Sequence, residues 1–203
     1  MNALAAGFLL GVGVAAGLGP ISLLCVTSGI RNGFAPAMGV GLGAALVDGL
    51  YALAAGLGAA ALVAGRAEGV FQLVGGLALL AIAVMLGRSR GAIGGRAMTS
   101  FGRGLRVSFA ATLANPSTIV YWAGGFAATV PGLALSRLET ASMLPAGVAL
   151  GSVSWFALIA AGSATLRGRI DDRLLGRVAL IGAIAIGAYG TWSLAEGARL
   201  LLR

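Results

Sequence analysis

The chain has 203 residues, of which 59% are hydrophobic and 10% charged, and its formal net charge is +8. Soluble domains usually carry about 25% charged residues, so this composition excludes an ordinary water-exposed surface and predicts a protein embedded in a lipid bilayer. All fourteen basic residues are arginine, and most of them lie in short segments between apolar runs. That distribution is typical of membrane topology and argues against nucleic acid as a partner.

The missing residue types exclude several kinds of chemistry. The sequence has no lysine and no histidine, so a Walker A loop, a Schiff-base lysine and histidine-based zinc or nucleophile sites are all excluded. Its single cysteine, Cys25, forms no internal disulfide. We therefore predict a protein that is not an enzyme and that holds no cofactor or metal.

Six apolar segments follow one another along the chain, and a helix needs about 20 such residues to cross a bilayer. Their predicted bounds are 4–28, 37–64, 70–86, 105–130, 143–166 and 174–195. The connections are short except for an arginine- and glycine-rich loop at 87–104. The sequence thus predicts an all-α integral membrane protein, a single domain of about six transmembrane helices.

The two halves of the chain resemble each other. Gly-Val-Gly-Leu-Gly at 39–43 recurs as Gly-Val-Ala-Leu-Gly at 147–151, and Leu-Val-Gly at 73–75 recurs as Leu-Ile-Gly at 180–182. With three helices each, the halves must have opposite orientations in the bilayer, an arrangement typical of secondary transporters. We predict inverted repeats at about 1–87 and 105–203; chance similarity among Gly/Ala-rich helices is the alternative.

The arginines predict the orientation. Ten of them fall in the loops after the first, third and fifth segments, and four fall on the other side. The positive-inside rule therefore predicts that both termini lie outside the cytoplasm.

Asp48 is the strongest candidate for a functional residue, because an intramembrane carboxylate costs about 2.5–3.5 kcal/mol on insertion scales. Leucines at 46, 50, 53 and 57 form a bulky stripe suited to lipid, and Asp48 lies on a different face with small residues. It is therefore expected to face a cavity or other helices and to carry a proton or cation. A structural hydrogen bond between helices is the alternative. Tyr51, one turn away, is a candidate donor to Asp48, although simple packing would also explain it.

Two prolines predict interruptions of the first and fourth segments. Pro20 follows Gly19, and Pro116 follows Asn115. Proline removes a helix hydrogen bond, and in a membrane the freed backbone groups need protein or a water-filled cavity as partners. Helix ends flanking one central site would suit a substrate carboxylate. A pair of packing kinks is the alternative.

Pairs of glycines four residues apart predict close helix packing. The pairs lie at positions 7 and 11, 13 and 17, 39 and 43, and 147 and 151.

Several motifs, taken in order, resemble the LysE/RhtB family of bacterial amino-acid exporters. They are Gly19-Pro20-Ile21-Ser22-Leu23-Leu24, Gly29-Ile30-Arg31-Asn32-Gly33, Val47-Asp48-Gly49, Met85-Leu86-Gly87-Arg88, Phe101-Gly102-Arg103-Gly104-Leu105 and Asn115-Pro116. The resemblance implies a six-helix protein of the bacterial inner membrane that exports amino acids, driven by protons and often dimeric.

The resemblance also implies that substrate and coupling ion bind at Gly19, Pro20, Asp48, Asn115 and Pro116. We add Ser22, Tyr51 and Ser117 as candidate residues of the same site. Ser117 is a departure, since family members often have a lysine directly after the Asn-Pro pair. That change puts the substrate and the coupling ion in question.

The sequence thus predicts a proton-coupled exporter of an amino acid or related small polar metabolite. Two alternatives are a passive channel and a membrane assembly factor without transport activity. Export of a solute other than an amino acid is a variant of the exporter prediction.

Overall fold

The computed structural model describes residues 2–17, 19–57, 66–88, 99–115, 118–119, 121–122 and 135–202. These residues form helices and the connections between them. The helices are α1 (Ala3–Ala15), α2 (Pro20–Asn32), α3 (Phe34–Gly56), α4 (Arg66–Arg88), α5 (Phe101–Leu113), α6 (Arg137–Ala141), α7 (Met143–Thr165) and α8 (Asp172–Leu201). Much of the arginine- and glycine-rich loop lies outside the described residues, as do Pro116 and Ser117.

Polar residues at the helix starts explain why several helices begin before the predicted apolar segments. The Asn2 side chain accepts a hydrogen bond from the backbone N–H of Ala5 at 2.8 Å, which caps α1. Ser100 and Asp171 cap α5 and α8 in the same way. Such caps satisfy backbone N–H groups that have no partner within the helix. A search for apolar runs alone does not find these first turns.

The first predicted segment, 4–28, is two helices rather than one. α1 and α2 are bent by 78° at the break between them. Among the described residues, α3 and the stretch Arg137–Thr165 are each long and apolar enough to cross a membrane, and α1 with α2 also passes if the bent pair is one span. The count of six spanning helices therefore stays a prediction.

In each of two closely packed pairs, the two helices run parallel to each other. On α1, a Cβ added at Gly7 would overlap the carbonyl oxygen of Leu144, and one added at Gly11 would overlap that of Val148. α3 and α5 form the same kind of contact. An added Cβ at position 39 would overlap the Phe101 carbonyl oxygen, and one at position 43 would overlap that of residue 105. Three of the four predicted glycine pairs therefore form close contacts.

In each of two further pairs, the two helices run antiparallel to each other. α3 packs against α7, with Gly41 against Phe156 and Gly49 against Ala149. α4 packs along α8, where Gly76 and Gly190 approach each other. A buried hydrogen bond also joins α4 to α8, because the Ser193 hydroxyl donates to the backbone carbonyl of residue 72 at 2.9 Å. α2 packs against both α3 and α7. These contacts arrange α1, α2, α3, α5 and α7 around a common interior.

The turn between α2 and α3 requires glycine. Gly33 has a φ of +90°, a left-handed conformation that residues with a Cβ rarely adopt. A Cβ there would lie 3.0 Å from a guanidinium nitrogen of Arg167 at the end of α7. The tight turn therefore brings α2 and α3 side by side.

The exposed faces of the helices are apolar, as the leucine stripe on α3 predicts. Leu46, Leu50 and Leu57 are exposed, whereas Asp48 is buried. Soluble proteins rarely expose such continuous apolar surface, so this face is suited to lipid.

Candidate functional site

A cavity of about 370 Å³ lies among α1, α2, α3, α5 and α7. Its lining includes Gly19, Pro20, Ser22, Asp48 and Asn115, all of which the sequence singled out. Residues from both interrupted segments and the buried acid therefore surround one space. The other two predicted residues of the second interruption, at positions 116 and 117, lie outside the described residues.

The break between α1 and α2 forms one wall of the cavity. Pro20 occupies the first turn of α2, and Gly19 precedes it as a cap without a side chain. Proline is tolerated at this position because the first N–H groups of a helix have no partner within the helix. The predicted interruption of the first segment is therefore confirmed, and Pro20 begins the second of its two helices.

Ser22 is the third residue of α2 and supports the break. Its hydroxyl donates to the carbonyl oxygen of Gly17 at 2.9 Å. This bond satisfies a carbonyl group that lies beyond the end of α1, and it holds the connecting chain against α2.

Glycines 13 and 17 do not form the close helix contact that their spacing predicts. A Cβ added at Gly13 would meet nothing within 4 Å, and one at Gly17 would come nearest the chain's own Val14 carbonyl oxygen, at 3.3 Å. Both glycines line the cavity, so they face open space rather than a neighbouring helix.

The second break follows α5. That helix ends at Leu113, and the backbone N–H of Asn115 donates to the Thr112 carbonyl oxygen at 3.1 Å. The Tyr51 hydroxyl donates to the Leu113 carbonyl oxygen at 2.6 Å. Tyr51 therefore satisfies a carbonyl at a helix end, and the prediction that it donates to Asp48 is wrong.

Asp48 is held by residues from other helices. It is only 3% exposed, and its Oδ2 accepts a hydrogen bond from the Ser152 hydroxyl of α7 at 2.7 Å. The Trp122 side chain also interacts with this carboxylate. The ring centroids of Trp122 and Tyr121 are 5.3 Å apart, and the two rings meet edge to face. A buried carboxylate thus has polar partners on one side and the cavity on the other.

Sequence reasoning missed several residues of this site. Ser152 binds Asp48, and Thr112, Thr118 and Phe156 line the cavity. Two signals pointed to them. Ser152 directly follows the glycine that ends the repeated motif at 147–151, and Thr112 lies three residues before Asn115.

The lining has the chemistry of a site for a small charged solute. Among the described residues around the cavity, Asp48 is the one carboxylate, and arginine is absent. No cluster of three or more metal-ligating side chains was found among the residues that the structure describes. The cavity therefore offers one negative charge, hydroxyl and amide groups, and the N-terminal end of α2.

Helices with apolar outer faces around a cavity that holds an acid and several neutral polar groups define a helical membrane protein with an internal site. Residues 12–189 match the family described as LysE type translocator, and the chain belongs to this family. Its resemblance to LysE exporters is therefore confirmed. Members are transporters, so the protein is a multi-pass membrane translocator.

A curated relative agrees with this family. The chain is 24% identical over 208 residues to the Bacillus subtilis (strain 168) protein YcgF, which is named for amino acid efflux, and the match covers 100% of each chain. No solved structure matches the chain at a significant level.

Proposed function

We propose that the protein is a secondary active exporter that moves an amino acid or a related small polar metabolite out of the cell in exchange for protons. One observation carries the proposal: Asp48, Pro20 and Asn115 line the same cavity. An intramembrane acid that faces a cavity is typical of ion and substrate pathways, and interrupted helices at a central site are typical of secondary transporters.

Asp48 is the residue that couples the two fluxes. Its carboxylate binds either a proton or the ammonium group of the substrate, and it cannot bind both at once. Because it is the one carboxylate in the described lining, arrival of a proton releases the substrate, and arrival of the substrate releases the proton. Competition for one group is sufficient for an exchange mechanism.

The helix ends bind the opposite end of the substrate. At the start of α2, the first backbone N–H groups carry the positive end of the helix dipole, which favours a carboxylate. Gly19 leaves this end open, since it has no side chain, and Ser22 holds it in place. Asn115 supplies an amide at the second break, where Pro116 and Ser117 belong to the same proposed site.

The size of the cavity fits a single amino acid. Ligand pockets in proteins range over about 300–1,000 Å³, and this cavity of about 370 Å³ is near the lower end. A small zwitterion would fit between the residues that line this volume, which leaves little space for a larger solute.

We propose that two inverted repeats of three helices build this site. The glycines at 39 and 43 contact residues 101 and 105, and those at 147 and 151 contact residues 4 and 8. The second helix of each half thus packs against the first helix of the other half, at the same spacing. A twofold axis that relates the two halves would produce this reciprocal packing. The third transmembrane helix of each half would be α4, with 23 residues, and α8, with 30.

The protein would lie in the bacterial inner membrane with both termini outside the cytoplasm. The excess of arginine in the loops after the first, third and fifth segments supports this orientation. A homodimer is part of the same proposal, because the family resemblance implies one.

Reconstituted vesicles test the proposal. Efflux of a radiolabelled amino acid driven by a pH gradient should be saturable in the wild type and lost in Asp48→Asn, which keeps the shape of the side chain but removes its charge. Glu196→Gln is the matched control, since Glu196 lies on α8, away from the cavity, and pairs with Arg199 at 3.4 Å.

Two outcomes would contradict the proposal. If Asp48→Asn shows the same pH-driven efflux as the wild type, Asp48 does not couple the fluxes. If the wild type carries a flux that neither saturates nor responds to the pH gradient, the protein is a passive channel.

A further inference from the structure

Thr112 is a buried polar residue that the proposed exchange mechanism does not use. It lies in the last turn of α5, lines the cavity and is 3% exposed. Its hydroxyl oxygen has no hydrogen-bond partner among the described residues. A buried hydroxyl without a partner is rare in proteins, and one that borders a cavity points to a ligand as its partner.

Other threonines on helices in this chain behave differently. Thr27, Thr165 and Thr191 each donate to a carbonyl oxygen three or four residues earlier in their own helix, at 2.7–2.9 Å. That local bond is the usual way for a helical threonine to satisfy its hydroxyl. Thr112 makes no such bond, so its donor remains available to a molecule in the cavity.

Thr112 and Asp48 line the same cavity on neighbouring helices that pack against each other. Gly43, five residues before Asp48, packs against Ser108, which is one turn before Thr112. α3 and α5 run in the same direction, so both side chains lie about one turn further along. A solute whose ammonium group is bound at Asp48 would therefore occupy the cavity that Thr112 lines.

We propose that Thr112 contacts the substrate and makes the site select amino acids with an uncharged, hydrogen-bonding side chain. This inference rests on the proposed export function. Asp48 is the one carboxylate among the described lining residues and is already assigned to the ammonium group. A second positive charge on the substrate would have no partner there. A site built to bond a hydroxyl or amide strongly rejects a solute of equal shape that lacks this group.

Matched solutes test the selectivity. Counterflow in reconstituted vesicles is measured for threonine against valine and for asparagine against leucine, because the members of each pair have nearly the same shape. The wild type should prefer the polar member by about tenfold or more. Thr112→Val, which keeps the shape and removes the hydroxyl, should reduce the preference to near equality, and Thr112→Ser should retain most of it.

Ser108→Ala is the matched control. Ser108 lies on the same helix, is fully buried and also has a hydroxyl without a partner in the described part of the chain, but it is not part of the cavity lining. This variant should keep the wild-type preference. Thermal stability in detergent shows whether each variant folds, and Thr112→Ala replaces Thr112→Val if the latter does not.

The possible outcomes are distinct. An unchanged preference in a folded Thr112→Val or Thr112→Ala protein overturns this inference but leaves the export function intact. An equal loss in Ser108→Ala also overturns it, because the effect would then be general. A wild type that exchanges no amino acid overturns the export function and this inference with it.

Discussion

At the scale of single residues, Asp48 is tolerated because other helices supply its partners. A carboxylate in the middle of a membrane helix costs about 2.5–3.5 kcal/mol. The hydroxyl of Ser152 offsets part of this cost with a hydrogen bond of 2.7 Å, and the Trp122 side chain interacts with the same group. The acid is thus stable while one side of it remains open to the cavity.

We predict that Ser152→Ala impairs transport by loosening Asp48. Losing one hydrogen bond to a charged group costs about 1.5–3 kcal/mol, so the rate of pH-driven efflux should fall about tenfold or more. Ser154→Ala is the control, because Ser154 lies on the same helix, is exposed and donates to its own Leu150 carbonyl oxygen. Equal rates in the two variants would show that Ser152 does not support the acid.

The direction in which Asp48 points could be predicted from the sequence, because it depends on helical periodicity alone. Three of the four leucines of the stripe, at positions 46, 50 and 57, are exposed, as expected. Ser152 and Thr112 could not be predicted in this way, since their roles depend on which helices pack against each other. The role of Tyr51 also depends on helix packing. Tyr51 lies one turn from Asp48 in the sequence, but its hydroxyl donates to the Leu113 carbonyl oxygen at the end of α5.

At the scale of helices, glycine sets how closely α1 and α7 approach. Gly151 has no room for a side chain, because an added Cβ would overlap the Phe8 carbonyl oxygen and lie 2.9 Å from the backbone nitrogen of Val12. The contact is between backbones, so no side-chain rotation relieves it. Close approach here holds α1, and with it the break before α2, against the rest of the site.

We predict that Gly151→Ala destabilises the protein. Overpacking a close contact costs about 1–3 kcal/mol, so the midpoint of thermal unfolding in detergent should fall by several degrees. Gly162→Ala tests the same substitution on the same helix, where an added Cβ meets nothing within 4 Å, and it should leave the midpoint nearly unchanged. A midpoint that falls equally in both variants would contradict the assigned packing.

The break at Pro20 shows what sequence reasoning can and cannot predict about an element. Proline with flanking glycine correctly predicts an interruption, since a continuous helix is disfavoured there. The same residues do not tell a kink within one helix from the start of a second helix. The geometry here is the second case, with α2 turned by 78° relative to α1.

At the scale of the whole molecule, the contacts between halves suggest how both sides of the membrane reach one site. The α1–α7 and α3–α5 contacts have the same direction and the same glycine spacing. If the halves are inverted repeats, an exchange of conformations between them would open the cavity first to one side and then to the other. At the position of α7 that corresponds to Asp48 the chain has Phe156 rather than an acid, so one site would serve both states.

The most direct test of this account is the movement of protons by the wild-type protein. Vesicles are loaded with an amino acid that the protein exchanges, no pH gradient is imposed, and internal pH is followed with an entrapped dye. Outward flow of the amino acid should drive protons inward and acidify the interior, at a rate that saturates with amino acid concentration and disappears in Asp48→Asn. Efflux of the amino acid with no change in internal pH would contradict proton exchange at Asp48.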